Sequence, residues 1–274
     1  MRTVSLTGTS LSSSRLGFGT SGLHRLLRSR KRQELLAAAF EAGMRHFDTS
    51  PYYGHGIAER ELGKFARDQR GKLLIATKFG IKANALLARI PWLMYAQLSA
   101  NAVQRKITKK NRWTISPTRD FSAREARLSL EHSLRALRTD YVDIYFLHDP
   151  TRALLGPSED LFMTLDRLRQ EGKTRYIGLA GAARDCIDLA ARFPKIAQIM
   201  QVDAAPGAQE LNLVRDAALP CHVSFGHFRD QNAPVKSLLN DAVKQNQTGI
   251  VLYSSRHPAR VREVAAYLTE LEPR

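Results

Sequence analysis

The sequence has few cysteines, only Cys186 and Cys221 in 274 residues, which excludes a domain held together by a disulfide framework. It also lacks an apolar run of the roughly 18 residues that a membrane-spanning helix needs. Residues 1–14 lack the apolar stretch of a secretory signal. With 17 glycines and 11 prolines the chain is not collagen-like or of low complexity. We therefore expect a globular protein of a reducing compartment and place it in the cytoplasm.

Acidic residues are scarce beside basic ones, with 26 Asp and Glu against 42 Lys and Arg, a formal net charge of +16. Hydrophobic residues make up 43% of the chain, which excludes a disordered protein. A charge of this size is typical of proteins that bind nucleic acid, an anionic membrane or a phosphorylated ligand, and also of a solvated basic surface. The basic residues concentrate in 25–32 and 105–112, without the regular aromatic residues of a single-strand-binding platform. We therefore expect no nucleic-acid partner.

Short apolar segments alternate with segments of helical period along most of the chain. Strands are predicted over 16–20, 44–48, 73–78, 142–148, 176–179, 196–202, 221–225 and 250–253. Helices are predicted over 29–42, 57–68, 122–138, 158–171, 183–193, 210–217, 235–245 and 258–271. Eight strand–helix units in about 250 residues predict an α/β protein with a closed (β/α)₈ (TIM) barrel. We expect it to form a single domain over residues 1–274, with an N-terminal β-hairpin over 2–13.

An open, doubly wound parallel sheet is the alternative fold. No GxGxxG motif follows any predicted strand, which disfavours an open sheet of the dinucleotide-binding kind.

A long insertion, residues 80–120, follows the third predicted barrel strand. It contains the mostly apolar segment 85–98 and then the basic segment 105–112. Connections of about 40 residues are long for a compact domain and are usually functional or mobile. Three alternatives stay open: a lid over a pocket, an interfacial amphipathic segment, or an extra helical hairpin packed on the barrel. Peripheral membrane contact through residues 85–112 is the less favoured outcome.

Four polar residues lie at or just after the ends of three consecutive predicted strands: Asp48, Tyr53, Lys78 and His148. In a barrel such strand ends converge on one mouth. An ammonium such as Lys78 lowers the pKa of a nearby phenol such as Tyr53, and Asp48 supplies the counter-charge of the lysine. His148 can hydrogen-bond a substrate oxygen. Such a site can protonate a developing alkoxide, and because it contains no hydride source it implies a cofactor.

Three segments resemble the signature segments of the aldo-keto reductase superfamily: FDTSPYYGHGIAERELG (47–63), IATKFG (75–80) and DIYFLHDP (143–150). GKTRYIGLAG (172–181) resembles the strand that follows in that family, and the resemblance extends over 16–271. It implies a (β/α)₈ barrel that binds NADPH or NADH and interconverts carbonyls and alcohols. By this resemblance Asp48, Tyr53, Lys78 and His148 form the catalytic tetrad. Tyr53 is the general acid, Lys78 and Asp48 tune its pKa, and His148 orients the carbonyl.

The resemblance also implies a nicotinamide site. Gln201 matches the family glutamine at the nicotinamide carboxamide, and Phe225 matches the aromatic residue that stacks on the ring. The family commonly has Ser-Asn where this chain has Ala180-Gly181, so two side chains that usually hold the carboxamide are absent. By position, the resemblance still assigns Gly181 to the cofactor site. An aromatic face suffices for stacking, so phenylalanine at 225 is a mild change.

The segment SSRHPARVREV (254–264) resembles the family segment that holds the adenosine 2′-phosphate. Ser255, Arg256 and Arg260 lie before or within the first turn of a predicted helix, and a helix N-terminus with arginines is a favourable anion site. Glu263 matches a usual adenine contact, but Val264 stands where an asparagine normally follows. We therefore expect NADPH rather than NADH, with arginines on a solvated helix face as the alternative.

Together these residues predict an NADPH-dependent aldo-keto reductase acting on a small-molecule carbonyl (aldehyde or ketone) or alcohol. No residue is assigned as a metal ligand. The alternative is a non-catalytic protein of the same fold that binds the cofactor as a redox sensor or docks to a partner. The Ala180-Gly181 departure and the insertion at 80–120 motivate that alternative.

Overall fold

A computed structural model describes residues 1–90, 92–96, 117–156, 158–205, 209–230 and 232–272. Two short antiparallel strands, β1 (Thr3–Ser5) and β2 (Ser12–Ser14), come first. Eight parallel strands follow: β3 (Leu16–Gly19), β4 (His46–Asp48), β5 (Leu74–Phe79), β6 (Val142–His148), β7 (Thr174–Gly181), β8 (Ile199–Asp203), β9 (Val223–Phe225) and β10 (Ile250–Tyr253). These eight strands close into a barrel in which β10 pairs with β3. The predicted barrel and hairpin are therefore confirmed, while a single domain over 1–274 stays a prediction.

Helices follow the barrel strands and surround them. They are α1 (Ser29–Glu41), α2 (Ile57–Ala66), α3 (Ala85–Arg89), α4 (92–96), α5 (Ala123–Leu137), α6 (Arg152–Leu155), α7 (Glu159–Gln170), α8 (Ala183–Arg192), α9 (Glu210–Asp216), α10 (Val235–Gln245) and α11 (Pro258–Leu271). The predicted bounds of β6, α10, β10 and α11 match the structure. β8 begins three residues later than predicted because residues 194–196 form a 3₁₀ turn that starts at a proline. No helix in the described part of the chain is long and apolar enough to cross a membrane.

Two apolar cores result from the alternation of side chains along the barrel strands. In β5, Leu74 and Ala76 face the barrel interior, whereas Ile75 and Phe79 face the surrounding helices. The interior core also contains hairpin residues Val4, Leu6 and Leu11. The hairpin therefore fills one end of the barrel, and a cavity is left at the carboxyl end of the strands.

Helix α5 shows how local sequence fixes the outer layer. Ser122 caps its start, since the hydroxyl oxygen accepts a hydrogen bond from the backbone N–H of Glu125 at 3.2 Å, as the capping-box pattern predicts. The helix packs closely against α2 at Gly63. A Cβ atom at Gly63 would lie 2.5 Å from the backbone of Leu137, so only glycine fits. This approach fixes α2, and with it the turn between β4 and α2 that contains Tyr53.

The insertion leaves the barrel and returns at the same place. Ile81 and Arg119 form an antiparallel bridge, and the Lys82 ammonium lies 2.7 Å from the Asp120 carboxylate. Residues 97–116, which include the basic segment 105–112, lie outside the described residues. The lid, amphipathic-segment and hairpin alternatives for the insertion therefore stay predictions.

Candidate active site

The barrel brings the four predicted catalytic side chains to one cavity of about 350 Å³ at the carboxyl ends of the strands. Asp48 ends β4, Lys78 lies near the end of β5, and His148 ends β6. Tyr53 lies in the turn between β4 and α2. Its ring is perpendicular to the imidazole of His148, with centroids 5.9 Å apart. The ammonium nitrogen of Lys78 lies 5.0 Å from the Tyr53 ring centroid.

Lys78 is a buried cation with all three of its hydrogens engaged. Its Nζ donates to Oδ1 and Oδ2 of Asp48 at 2.5 and 2.6 Å, and to the backbone oxygen of Thr49 at 3.0 Å. Burial lowers the pKa of Lys78 and raises the pKa of Asp48, and the attraction between the two opposes both shifts. The pair therefore holds a buried ammonium group close to the Tyr53 ring, although removing both charges from water costs free energy.

The pKa of Tyr53 corrects one expectation. Burial, followed by the negative charges of Asp48 and Asp149, raises the pKa of Tyr53 well above 10. The expected lowering by Lys78 is not the net direction, because burial of the phenol outweighs it and Asp48 and Asp149 add negative charge nearby. Tyr53 is consequently protonated at neutral pH and keeps a proton to donate.

His148 is a neutral imidazole in this setting. Burial lowers the pKa of His148 well below 6.5, and the charges of Lys78 and Arg119 lower it further. Its Nδ1 lies 3.5 Å from the hydroxyl oxygen of Ser50. A neutral imidazole retains one N–H, so His148 can donate a hydrogen bond to an oxygen in the cavity.

Gln201 lies at the same level along the barrel strands as His148, two strands away. Across neighbouring strands His148 pairs with Ala180 and Ala180 with Gln201. The Gln201 side chain is buried beside the Asp48 carboxylate, and its Oε1 has no hydrogen-bond partner among the described residues. Buried polar atoms are nearly always paired, so this oxygen indicates a ligand that brings a donor.

A second cavity of about 950 Å³ lies beside the first. Its walls include four residues predicted for the adenosine 2′-phosphate and adenine: Ser255, Arg256, Arg260 and Glu263. Four residues line both cavities, which makes them continuous: Ser21, Phe228, Arg229 and Ser254. Phe225 lies in the wall of the first cavity. The elongated space, the unpaired oxygen of Gln201 and the arginines at the start of α11 fit a phosphorylated dinucleotide.

One predicted cofactor residue lies elsewhere. Gly181 ends β7 and is not in the cavity wall, but packs against Asp149. Conversely, sequence reasoning missed Asp149, Asp203 and Arg229, which do line the cavity. The Arg229 guanidinium pairs with the Asp203 carboxylate at 2.8 Å. Asp203 ends β8 and Asp149 follows β6, so the strand-end rule used for Asp48 applies to both.

Behind Lys78, on the helix side of β5, lies a second buried carboxyl group. Glu59 of α2 is 2% exposed and accepts a hydrogen bond from the hydroxyl of Thr77 at 2.7 Å. Burial raises the pKa of Glu59 from 4.5 to about 7. Its protonated form therefore fits the fold better than its charged form.

This gives a prediction for stability against pH. A carboxyl whose pKa is raised in the folded state stabilises below its unfolded pKa of 4.5, and this contribution is lost as pH rises to about 7. The unmodified chain should lose this stability as pH rises, whereas Glu59→Gln does not titrate. We therefore expect the free energy of unfolding of Glu59→Gln minus that of the unmodified chain to increase by about 3 kcal/mol from pH 4.5 to pH 7.5. Urea unfolding of both proteins across this range measures the difference. A constant difference would contradict a titrating Glu59.

A model described as Aldo/keto reductase family matches residues 15–205. D-threo-aldose 1-dehydrogenase of a Pseudomonas species is 30% identical over 87% of this chain and 64% of its own length. L-galactose dehydrogenase of Arabidopsis thaliana is 32% identical over 66% of this chain and 48% of its own length. The chain thus spans between about half and two thirds of these relatives.

Among solved structures, the holo form of an aldo-keto reductase from Bacillus halodurans superposes with a TM-score of 0.72. The alignment covers 98% of this chain and 91% of that one, at 18% identity. At such identity the likeness shows the fold alone.

Proposed function

The chain belongs to the aldo/keto reductase family, and on that basis we propose that it is an oxidoreductase that interconverts a carbonyl and an alcohol with NADPH as the hydride donor. One observation carries the proposal. A protonated phenol, Tyr53, lies in the cavity close to both the imidazole of His148 and the ammonium of the Lys78–Asp48 ion pair. This set of groups can give a proton to an oxygen that is gaining negative charge.

In this mechanism each side chain has one task. His148 donates its N–H to the carbonyl oxygen and orients it. Tyr53 donates its proton to the same oxygen as negative charge develops there. Lys78, 5.0 Å from the Tyr53 ring, stabilises the phenolate that forms, and Asp48 holds the ammonium in place. NADPH, when bound, supplies the hydride.

The choice of NADPH rests on the cationic end of the second cavity. Arg256 and Arg260 lie in its wall at the start of α11, with the hydroxyl of Ser255 beside them. Guanidinium groups at a helix N-terminus bind a phosphate with several charge-assisted hydrogen bonds. We propose that these three residues hold the 2′-phosphate and that Glu263 lies at the adenine. Phe225 is proposed to stack on the nicotinamide.

The experiment that tests the function separates turnover from binding. Purified chain is titrated with NADPH, and oxidation of NADPH is then followed with a panel of aldehydes, ketones and aldoses. The reverse direction is assayed with NADP⁺ and the sugars named by the two relatives, a D-threo-aldose and L-galactose. We expect turnover in at least one direction. Binding without turnover on any substrate would instead favour the cofactor-binding sensor.

Arg260→Ala tests the cofactor assignment. We expect the Kd for NADPH to rise about ten- to a hundredfold, the effect of one charge-assisted hydrogen bond, and the Kd for NADH to change little. The matched control is Arg262→Ala on the same helix, since Arg262 pairs with Glu41 and lies outside the cavity wall. Calorimetric titration gives both constants. An equal loss for the two cofactors would remove the 2′-phosphate assignment.

A further inference from the structure

Asp149 lines the catalytic cavity but has no task in the mechanism above. It directly follows His148 and has a left-handed backbone, with φ of 49°, which is unfavourable for a residue other than glycine. Two hydrogen bonds hold it there. Its N–H donates to the backbone oxygen of Ala180 at 2.7 Å, and the Arg119 guanidinium donates to its backbone oxygen at 2.6 Å. The fold thus fixes Asp149 in a strained position beside the cavity.

Gly181 provides the space for the Asp149 side chain. A Cβ atom at position 181 would lie 3.2 Å from both the Cα and the Oδ1 of Asp149. The carboxylate therefore lies against Gly181, where a Cβ atom would make a tight contact with it. Position 181 is also where the family resemblance places an asparagine, so the residue just after β6 lies where a side chain of β7 is missing.

The carboxylate of Asp149 has acceptor capacity to spare. Its nearest cation in the described chain is Arg119, whose Nη2 lies 3.8 Å from Oδ2, beyond hydrogen-bond distance. The side chain is 45% exposed at the cavity. Gln201 offers a second unpaired acceptor, its Oε1. In the strand pairing, the small Ala180 lies between Gln201 and His148. Asp149, Ala180 and Gln201 all line the catalytic cavity, so its wall presents two acceptors together with a short alanine.

We infer that Asp149 binds the carboxamide of the nicotinamide, where it and Gln201 each accept one N–H of the amide NH₂. The inference rests on the proposed function, since it concerns the same cofactor. A primary amide has two N–H groups in one plane, which complements two acceptors in one wall. Glycine at 181 favours this arrangement, because a Cβ atom there would press on the Asp149 carboxylate at 3.2 Å. Asp149 then compensates for the side chains that are absent at Ala180 and Gly181, so nicotinamide binding is retained.

The test uses a cofactor analogue without the two N–H groups. In reduced 3-acetylpyridine adenine dinucleotide phosphate a methyl group replaces the amide NH₂. Calorimetry gives the Kd of NADPH and of this analogue for the unmodified chain and for Asp149→Ala, Asp149→Asn and Gly181→Ala. Adenosine 2′,5′-bisphosphate, which lacks the nicotinamide, reports whether each variant keeps a folded nucleotide site.

The unmodified chain should bind NADPH more tightly than the analogue. Asp149→Ala should reduce this preference about tenfold, the effect of one hydrogen bond to a charged acceptor. Gly181→Ala should reduce it by a smaller factor, because the added methyl group shifts the carboxylate without removing it. Asp149→Asn, which tolerates the left-handed backbone and keeps one acceptor oxygen, should retain most of the preference. All four proteins should bind adenosine 2′,5′-bisphosphate equally.

Two results would overturn the inference while leaving the proposed function in place. One is an unchanged preference for NADPH over the analogue in Asp149→Ala and Gly181→Ala. The other is a change confined to the KM of the carbonyl substrate, which would assign Asp149 to substrate binding. Failure of the unmodified chain to bind NADPH at all would overturn the proposed function and this inference with it.

Discussion

Replacing Tyr53 with phenylalanine should reduce carbonyl turnover by about two to four orders of magnitude, the contribution of a positioned proton donor. The affinity for NADPH should stay nearly unchanged. The substitution removes only the hydroxyl, and the ring keeps its edge contact with His148 and its position above Lys78. Hydride can still be offered to the carbonyl carbon, but the oxygen has no proton donor of matched geometry. Steady-state kinetics and a fluorescence titration with NADPH measure the two quantities separately.

Tyr52→Phe is the matched control for this variant. Tyr52 lies in the same turn, and its ring packs edge-on against His55 outside the wall of the catalytic cavity. Loss of its hydroxyl should leave kcat unchanged. Full activity of Tyr53→Phe, or an equal loss in both variants, would refute the role of Tyr53 as the proton donor.

The sequence predicts the barrel well because its signal is local and repeated. Each strand–helix unit carries its own apolar period, and units such as α5 carry their own cap at Ser122. The meeting of Asp48, Lys78 and His148 is also predictable. Parallel strands in a closed barrel bring their carboxyl ends to one face, however far apart the residues are in the chain.

Properties that depend on burial and on contacts between strands could not be predicted in the same way. The pKa of Tyr53 rises because its hydroxyl is buried near the negative charges of Asp48 and Asp149, and this burial cannot be read from the spacing of the residues. The contact of Asp149 with Gly181 depends on the register of β6 and β7 and on a left-handed backbone. The positions of the strand ends identify which residues lie at the cavity, but they do not identify which side chains will contact one another there.

The ion pair below Tyr53 gives the largest expected effect on stability. Lys78→Met removes the partner of a fully buried carboxylate, and breaking such a pair from one side costs about 3–5 kcal/mol of unfolding free energy. The loss should be smaller in acid. Burial already raises the pKa of Asp48, and without the lysine that pKa rises further, so protonation removes the unpaired charge as pH falls. Urea unfolding at pH 7.5 and pH 5 measures both effects.

The double variant Asp48→Asn with Lys78→Met separates stability from chemistry. It carries no buried charge at this position, so it should recover most of the stability lost in Lys78→Met alone, because buried pairs are often replaceable by neutral groups. It should nevertheless be inactive, since nothing is left to stabilise the Tyr53 phenolate. Equal stabilities of the single and double variants would show that Asp48 is not the charge left behind. Recovery of stability without activity would mean that the pair is kept for the reaction and that the fold does not depend on it.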